Sequence, residues 1–179
     1  EASVGVSISI PFLDEETARL IEPGAPTIAK RFETLEILAN AGVPVGIGVA
    51  PIIPGLNDRD IPGLLKEAKR RGARIAGRTL LRLPGSVREV FLHGIAERMP
   101  LRAEHIRKRI LDTRGGKMYD NRFGHRHSGT GEYWDMIDQT WKVWTERLGF
   151  NRDEEGGDEA PETTTFRRPD PHGQAEFGW

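Results

Sequence analysis

The chain has 179 residues, of which 37% are hydrophobic and 30% are charged, and it contains no cysteine. This length fits one domain, or one domain with a tail, and the lack of cysteine excludes disulfides and thiolate catalysis within these residues. The net charge of −1 conceals an uneven distribution, because residues 151–179 hold eight acids and three arginines and leave the rest basic. No apolar run approaches the roughly 20 residues that cross a bilayer, and we expect a cytoplasmic protein with no membrane partner.

An alternating apolar pattern at the start of the chain predicts a first strand over 4–10. Asp14 is placed to cap a short helix, and Thr27 is placed to cap a second helix that ends at Gly42. Glu22 and Arg31 are expected to pair around the turn between these helices. The strand pattern begins within the first residues of the chain, with no leading loop and no initiator Met. We therefore expect that upstream residues of the same protein are missing.

A second strand over 43–50 is followed by a loop over 51–58, a helix over 60–72 and a third strand over 75–83. Strands that alternate with helices at this spacing predict a parallel α/β sheet. Three such strands do not close a barrel, which takes about eight. They leave the first strand as an unprotected edge, so we expect further strands upstream.

Beyond residue 86 the pattern becomes helical, with predicted helices over 87–99, 101–113 and 132–148. Residues 114–131 form a glycine-rich, basic segment that predicts a loop. The acidic tail is rich in Pro, Gly and Thr and buries too little apolar surface to offset its ordering entropy, so we predict disorder there. The predicted organisation is a sheet domain over 1–86, a helical extension over 87–150 and a disordered tail over 151–179.

Ligands of parallel βα folds bind beyond the carboxyl ends of the strands. That end of the predicted sheet holds Ser7 and Ser9 on the first strand, Ala50 and Pro51 on the second, and 81–84 on the third. Serine hydroxyls can bond a ribose or a carboxylate there. The alternative interpretation is that both serines are ordinary outward-facing strand residues.

Several short motifs occur in an order that resembles one protein family. They are Ser7-x-Ser9, Glu22-Pro23, Arg31, Ala41-Gly42-Val43-Pro44, 50–58 (APIIPGLND), 80–85 (LLRLPG), Arg114-Gly115-Gly116-Lys117 and Phe123-Gly124-x-Arg126. Over about residues 1–149, the chain resembles the C-terminal portion of radical S-adenosylmethionine proteins of the spore photoproduct lyase-like, "DNA repair photolyase" group.

The resemblance implies a partial (β/α)6 barrel whose C-terminal half corresponds to residues 1–86. It also implies a 4Fe–4S cluster on a CxxxCxxC loop, and cleavage of S-adenosylmethionine to a radical that abstracts hydrogen from an unknown substrate, with nucleic acid as one candidate. Ser7, Ser9, Ala50 and Pro51 match positions that approach S-adenosylmethionine. Because all cluster cysteines are absent, we expect this chain alone to be inactive and its missing N-terminal segment to be its partner; no catalytic residue is assigned.

Residues 98–127 hold nine Lys or Arg residues against three acids, with Tyr119 and Phe123 interleaved. Such a stretch suits phosphate contacts and base stacking, and the alternative is a solvated helix face followed by a packing loop. The candidate nucleic-acid contacts are Arg114, Lys117, Arg122 and Arg126. The competing function is therefore a non-catalytic α/β module that binds nucleic acid or an acidic partner. We predict no metal site, because the pair His125-x-His127 supplies too few ligands for a structural one.

Overall fold

The computed structural model describes residues 5–118 and 128–152. In these residues three parallel strands, β1 to β3 in order of sequence, form an open sheet in the spatial order β1-β2-β3. The strands are β1 (Val6–Ser9), β2 (Val45–Ile52) and β3 (Ile75–Leu80). The helices are α1 (Glu15–Ile21), α2 (Ile28–Asn40), α3 (Ile61–Arg70), α4 (Val87–Arg98), α5 (Pro100–Asp112) and α6 (Glu132–Arg147). The prediction of a parallel α/β sheet is confirmed; the described strands do not form a barrel.

The helix ends follow from short polar residues and glycine. The Asp14 carboxylate and the Thr27 hydroxyl each accept the backbone N–H three residues further on, at 2.7 and 3.2 Å, and Gly42 follows α2 with a φ of +78°. Asp60, the first residue of the predicted third helix, behaves differently. The Asp60 side chain makes no cap to α3 and accepts the N–H of Leu13 at 3.3 Å instead, so it joins the chain after β1 to the start of α3.

The second strand runs two residues further than predicted. The loop was expected to begin at Pro51, but β2 continues to Ile52, which pairs with Leu80 of β3. The register shifts between Val49 and Ile52, across the cis Ala50–Pro51 peptide. Proline has no N–H to donate to a neighbouring strand, so a ladder that contains it is interrupted there by a local irregularity. The alternation of apolar and small residues in the sequence does not show that pairing continues beyond this irregularity.

One face of the sheet is covered by α2, α3 and α6. The strands contribute alternate apolar residues to this face, and the central strand is buried at Val45, Ile47 and Val49. The helices contribute Phe32, Leu35, Leu64, Leu65, Ala68, Trp134, Ile137 and Trp141. Because α6 lies in the same core as the strands, the helical residues after 86 do not pack as one separate layer.

A second core lies at the carboxyl ends of the strands. It joins segments that leave the strands to α1, α4 and α5, and its buried members are Phe12, Ala18, Ile53, Leu56, Leu81, Leu83, Ile95, Met99, Ile106 and Ile110. The expected functional rim over 81–84 is therefore largely core, since Leu81 and Leu83 are buried. None of the described helices is both long enough and apolar enough to cross a membrane.

Within residues 5–118 and 128–152, a polar side chain hydrogen-bonds to each outer edge of the sheet. The Asn151 amide accepts the N–H of Ala76 at 2.9 Å and donates to its carbonyl at 3.0 Å, as a neighbouring strand would. Asn151 has a φ of +55°, which asparagine tolerates better than most residues. At the other edge, Arg31 donates to the carbonyl of Ser9 at 3.0 Å.

Candidate functional site

In the part of the chain that the structure describes, the face of the sheet opposite the α2–α3–α6 layer is partly exposed and carries small side chains beside one large one, Ile75. Strand register aligns Ser7 with Gly46 and then with the exposed Ile75, and it aligns Ser9 with Gly48 and then with Gly77. The two serines and Gly77 are exposed, Gly48 is half-buried and Gly46 is buried, and a Cβ atom added to Gly77 would meet nothing within 4 Å. We call the two serines and the three glycines the open sheet face. Parallel sheets normally have both faces covered, so this face is a candidate surface for a ligand or a partner.

The carboxyl end of the open sheet face is built around Ser9. Its hydroxyl donates to the carbonyl of Ala50 at 2.7 Å, which links the ends of β1 and β2. The structure therefore brings together two of the predicted cofactor-binding residues. Because the hydroxyl hydrogen is already engaged, Ser9 can offer a ligand only its acceptor lone pairs.

Arg31 holds this end of β1 in place. Its guanidinium donates to the carbonyls of Ser9 and Pro26, each at 3.0 Å, and to the Glu22 carboxylate at 2.8 Å. The Arg31 side chain is 12% exposed, so the predicted pair with Glu22 is confirmed as a largely buried interaction. Its role is structural, because its three bonds fix the turn between α1 and α2 against the strand end.

The other two predicted cofactor residues differ in their surroundings. Ser7 is exposed, and its hydroxyl makes no hydrogen bond to any residue that the structure describes, so both its donor and its acceptor are available to a ligand. Pro51 is half-buried, and its carbonyl accepts the side-chain N–H of Asn57 at 3.0 Å. Pro51 has no N–H to donate, so it can shape the site but cannot donate a hydrogen bond to a ligand.

Asn57 is a positioning residue that the sequence did not single out. It is fully buried, accepts the N–H of Ile53 at 2.7 Å and donates to the carbonyls of Pro11 and Pro51 at 2.7 and 3.0 Å. One amide thus joins the chain leaving β1 to the chain leaving β2. In the sequence it stands in a Pro/Gly/Asp turn, where asparagine is usually a solvent-exposed turn former.

The fold does not provide ligands for an iron–sulfur cluster. Such clusters are held mainly by cysteine thiolates, and the chain has none. The described residues also contain no group of three or more His, Asp or Glu side chains placed to hold a metal ion. The open sheet face is compatible with a neutral or zwitterionic organic ligand, since its polar side-chain groups are the two uncharged serine hydroxyls.

The four predicted nucleic-acid contacts differ in exposure, and two of them lie outside the described residues. Arg114 is buried, with 7% exposure, and donates to the carbonyl of Leu81 at 2.8 Å. Its guanidinium therefore binds the backbone just after β3, and a large ligand could reach little of it. Lys117 is exposed. Arg122 and Arg126 lie outside the described residues, as do His125, His127 and the predicted disordered tail from 153 onward.

A tyrosine–carboxylate pair lies beside a surface cavity of about 520 Å³, which Arg109, Glu132 and Met136 also line. The Tyr133 hydroxyl donates to Asp58 at 2.7 Å, and the Arg109 guanidinium lies 4.4 Å from the centre of the tyrosine ring. Burial, followed by the hydrogen bond to Asp58, raises the pKa of Tyr133 well above its ordinary value. The phenol hydrogen is therefore held by Asp58, and Tyr133 can offer a ligand in this cavity only the lone pairs of its oxygen.

Comparison of the chain with known protein families, with curated proteins and with solved structures finds no match. The resemblance to radical S-adenosylmethionine proteins therefore stays a prediction from the motifs.

Proposed function

We propose that this chain forms one wall of the S-adenosylmethionine chamber of a radical enzyme, with the open sheet face as the surface that contacts S-adenosylmethionine. The observation that carries the proposal is the row formed by Ser9, Gly48 and Gly77 across three parallel strands. Two adjacent glycines leave the backbone free of side chains, which allows a close approach by a ligand. In this proposal the sheet is part of an incomplete barrel wall, and the open sheet face is the inner face of that wall.

In this proposal the residues of the chain bind and orient, and they do not transfer electrons or protons. The exposed Ser7 hydroxyl donates to or accepts from a ribose or carboxylate oxygen, and Ser9 accepts through its hydroxyl oxygen. When bound, the cluster supplies the electron that cleaves the sulfonium. Because this chain has no cysteine, the cluster belongs to a polypeptide segment outside these 179 residues.

The test is S-adenosylmethionine binding, followed by the backbone amide NMR signals of the open sheet face. We expect added S-adenosylmethionine to shift the signals of Ser7, Ser9, Gly48 and Gly77, and S-adenosylhomocysteine to shift the same set. Gly77→Val should abolish the shifts, because valine suits a strand and would project into the empty space above Gly77.

The matched control is Gly94→Val in α4, where a Cβ atom also meets nothing within 4 Å. This variant adds the same atoms at a position outside the open sheet face and should bind as the wild type does. The proposal is wrong if S-adenosylmethionine leaves the amides of the open sheet face unchanged, or if Gly77→Val and Gly94→Val bind it equally.

The competing proposal is a non-catalytic module that binds nucleic acid through the basic stretch over 98–127. Among its four candidate contacts, the exposed Lys117 supports it and the buried Arg114 does not. A mobility-shift titration at several salt concentrations tests it, since phosphate contacts give binding that weakens steeply with salt. Loss of binding in Lys117→Gln, with S-adenosylmethionine producing no shifts, would favour this module over the enzyme.

A further inference from the structure

A groove of about 410 Å³ lies between the start of α1, the turn after β2 and the junction of α4 with α5. Three arginines line it: Arg59 from the turn, and Arg98 and Arg102 from the helix junction. The sequence places Arg59 about 40 residues from the other two, and only the fold brings them to one surface. This groove is separate from the open sheet face and is not used by the proposed function.

Two arginines of this groove have no ion-pair partner among the described residues. Arg98 donates to the carbonyl of Leu20 at 2.9 Å and Arg102 to that of Leu56 at 3.4 Å, and neither forms an ion pair with a described residue. Arg59 lies 3.9 Å from Asp60, and its charge also interacts with that of Asp14. Seven other described arginines have closer ion-pair partners, at 3.6 Å or less.

The carbonyl contacts aim the two guanidinium groups without neutralising them. A guanidinium has five N–H donors in a fixed fork that matches a carboxylate, and each of Arg98 and Arg102 uses one of them on its carbonyl. The remaining donors are available to an anionic group that enters the groove. Orientation before binding reduces the entropy that a ligand must overcome.

The groove also has an apolar component. Leu101, between the two arginines, is 99% exposed, and Leu20 and Met99 line the same groove. A fully exposed leucine between two uncompensated arginines resembles a protein-binding surface, where arginine and large apolar residues contribute much of the binding energy.

Two features favour a peptide over a nucleic acid as the occupant. No aromatic residue of the described chain lines the groove, although single-stranded nucleic acids bind largely by stacking on aromatic rings. In addition, the carboxylates of Asp14 and Glu16 lie at the α1 side of the groove, where they would repel a continuous phosphate backbone. A peptide can place its own carboxylates against the arginines and other side chains against α1.

We propose that this groove docks a partner protein through a segment in which carboxylate side chains alternate with aliphatic ones. The carboxylates pair with Arg59, Arg98 and Arg102, and the aliphatic side chains cover Leu101 and Leu20. Docking does not depend on S-adenosylmethionine, so an experiment can refute this proposal without refuting the proposed function.

The experiment is fluorescence anisotropy with a labelled synthetic peptide of alternating Glu and Leu, using the full chain. Three comparison probes test its chemistry: the same peptide with Gln for Glu, the same peptide with Ser for Leu, and a labelled oligothymidine. We expect the Glu–Leu peptide to bind most tightly and its affinity to fall with salt. The double variant Arg98→Gln, Arg102→Gln should weaken it by about tenfold or more, because glutamine keeps a donor for the carbonyl contact but removes the charge.

The matched control is Arg107→Gln with Lys108→Gln, which removes two charges from exposed positions of α5 outside the groove. It should leave binding within about twofold of the wild type. Leu101→Ser, at a side chain with no burial to lose, should weaken the Glu–Leu peptide and leave the Glu–Ser peptide unchanged.

Three results would overturn the proposal. The first is equal loss of peptide affinity in the groove variant and in the Arg107–Lys108 control, which would show a non-specific charge effect. The second is a Glu–Ser peptide that binds as tightly as the Glu–Leu peptide. The third is oligothymidine that binds more tightly than any peptide and is lost in the Arg98–Arg102 variant, which would make the groove a nucleic-acid site.

Discussion

Replacing Asn57 with alanine tests whether one buried amide holds the carboxyl ends of β1 and β2 together. The substitution removes three hydrogen bonds, of 2.7, 2.7 and 3.0 Å, from a residue with no exposed surface. Each bond contributes about 1 kcal/mol net, and the N–H of Ile53 and two carbonyls would lose their partner in a region that excludes water. We therefore expect Asn57→Ala to lower the free energy of unfolding by about 3 kcal/mol.

The assay is urea unfolding followed by circular dichroism. A change of this size moves the urea midpoint while the slope stays constant, and in a chain of this length it corresponds to a fall in Tm of about 6–12 °C. The control is Asn40→Ala at the exposed end of α2, which should change the free energy by less than about 0.5 kcal/mol. A loss below about 1 kcal/mol in Asn57→Ala would refute the view that these bonds join the strand ends.

Two titratable groups give further predictions. The hydrogen bond from Arg70 holds the pKa of Glu67 down, from 4.5 to about 2, so its stabilising contribution is present above pH 4.5 and is lost as the pH falls towards 2. Glu67→Gln should therefore be less stable than the wild type near neutral pH, and urea midpoints should converge as the pH falls through this range; a constant difference would contradict the ion pair. Tyr133→Phe should lose about 1.5 kcal/mol from the bond to Asp58, and spectrophotometric titration of the wild type should show one tyrosine that ionises well above its usual pH. Two tyrosines titrating together would contradict the buried hydrogen bond.

Local rules were sufficient where the determining contacts lie close in the sequence. The alternation over 4–10 predicted β1, and the polar residues at Asp14 and Thr27 predicted the starts of two helices, because a cap needs only the next few residues. The pairing of Glu22 with Arg31 was predicted for the same reason. The open character of the first strand's face follows from Ser7 and Ser9, whose small polar side chains alternate with apolar ones.

Features that depend on distant segments could not be predicted. Arg114 was predicted to be a nucleic-acid contact within a basic loop, but its guanidinium is buried and donates to the carbonyl of Leu81 after β3. Asn57 had the sequence context of an exposed turn, and its burial depends on the chain leaving β1. The groove around Arg98 likewise depends on Arg59, whose position is set by packing of the turn after β2 and not by periodicity.

The contacts of Asn151 give the sheet a preferred direction of extension. An incoming strand beside β3 would have to displace an amide that already occupies both hydrogen-bonding groups of Ala76. Beside β1, Arg31 occupies only the carbonyl of Ser9, and the peptide groups of Ser7 face outward because Val6 and Ile10 are the residues whose N–H groups bond towards β2. As far as the described residues show, the edge beside Val6–Ser9 is therefore the one that favours pairing with another β-segment, and on the other side Asn151 occupies the edge at Ala76.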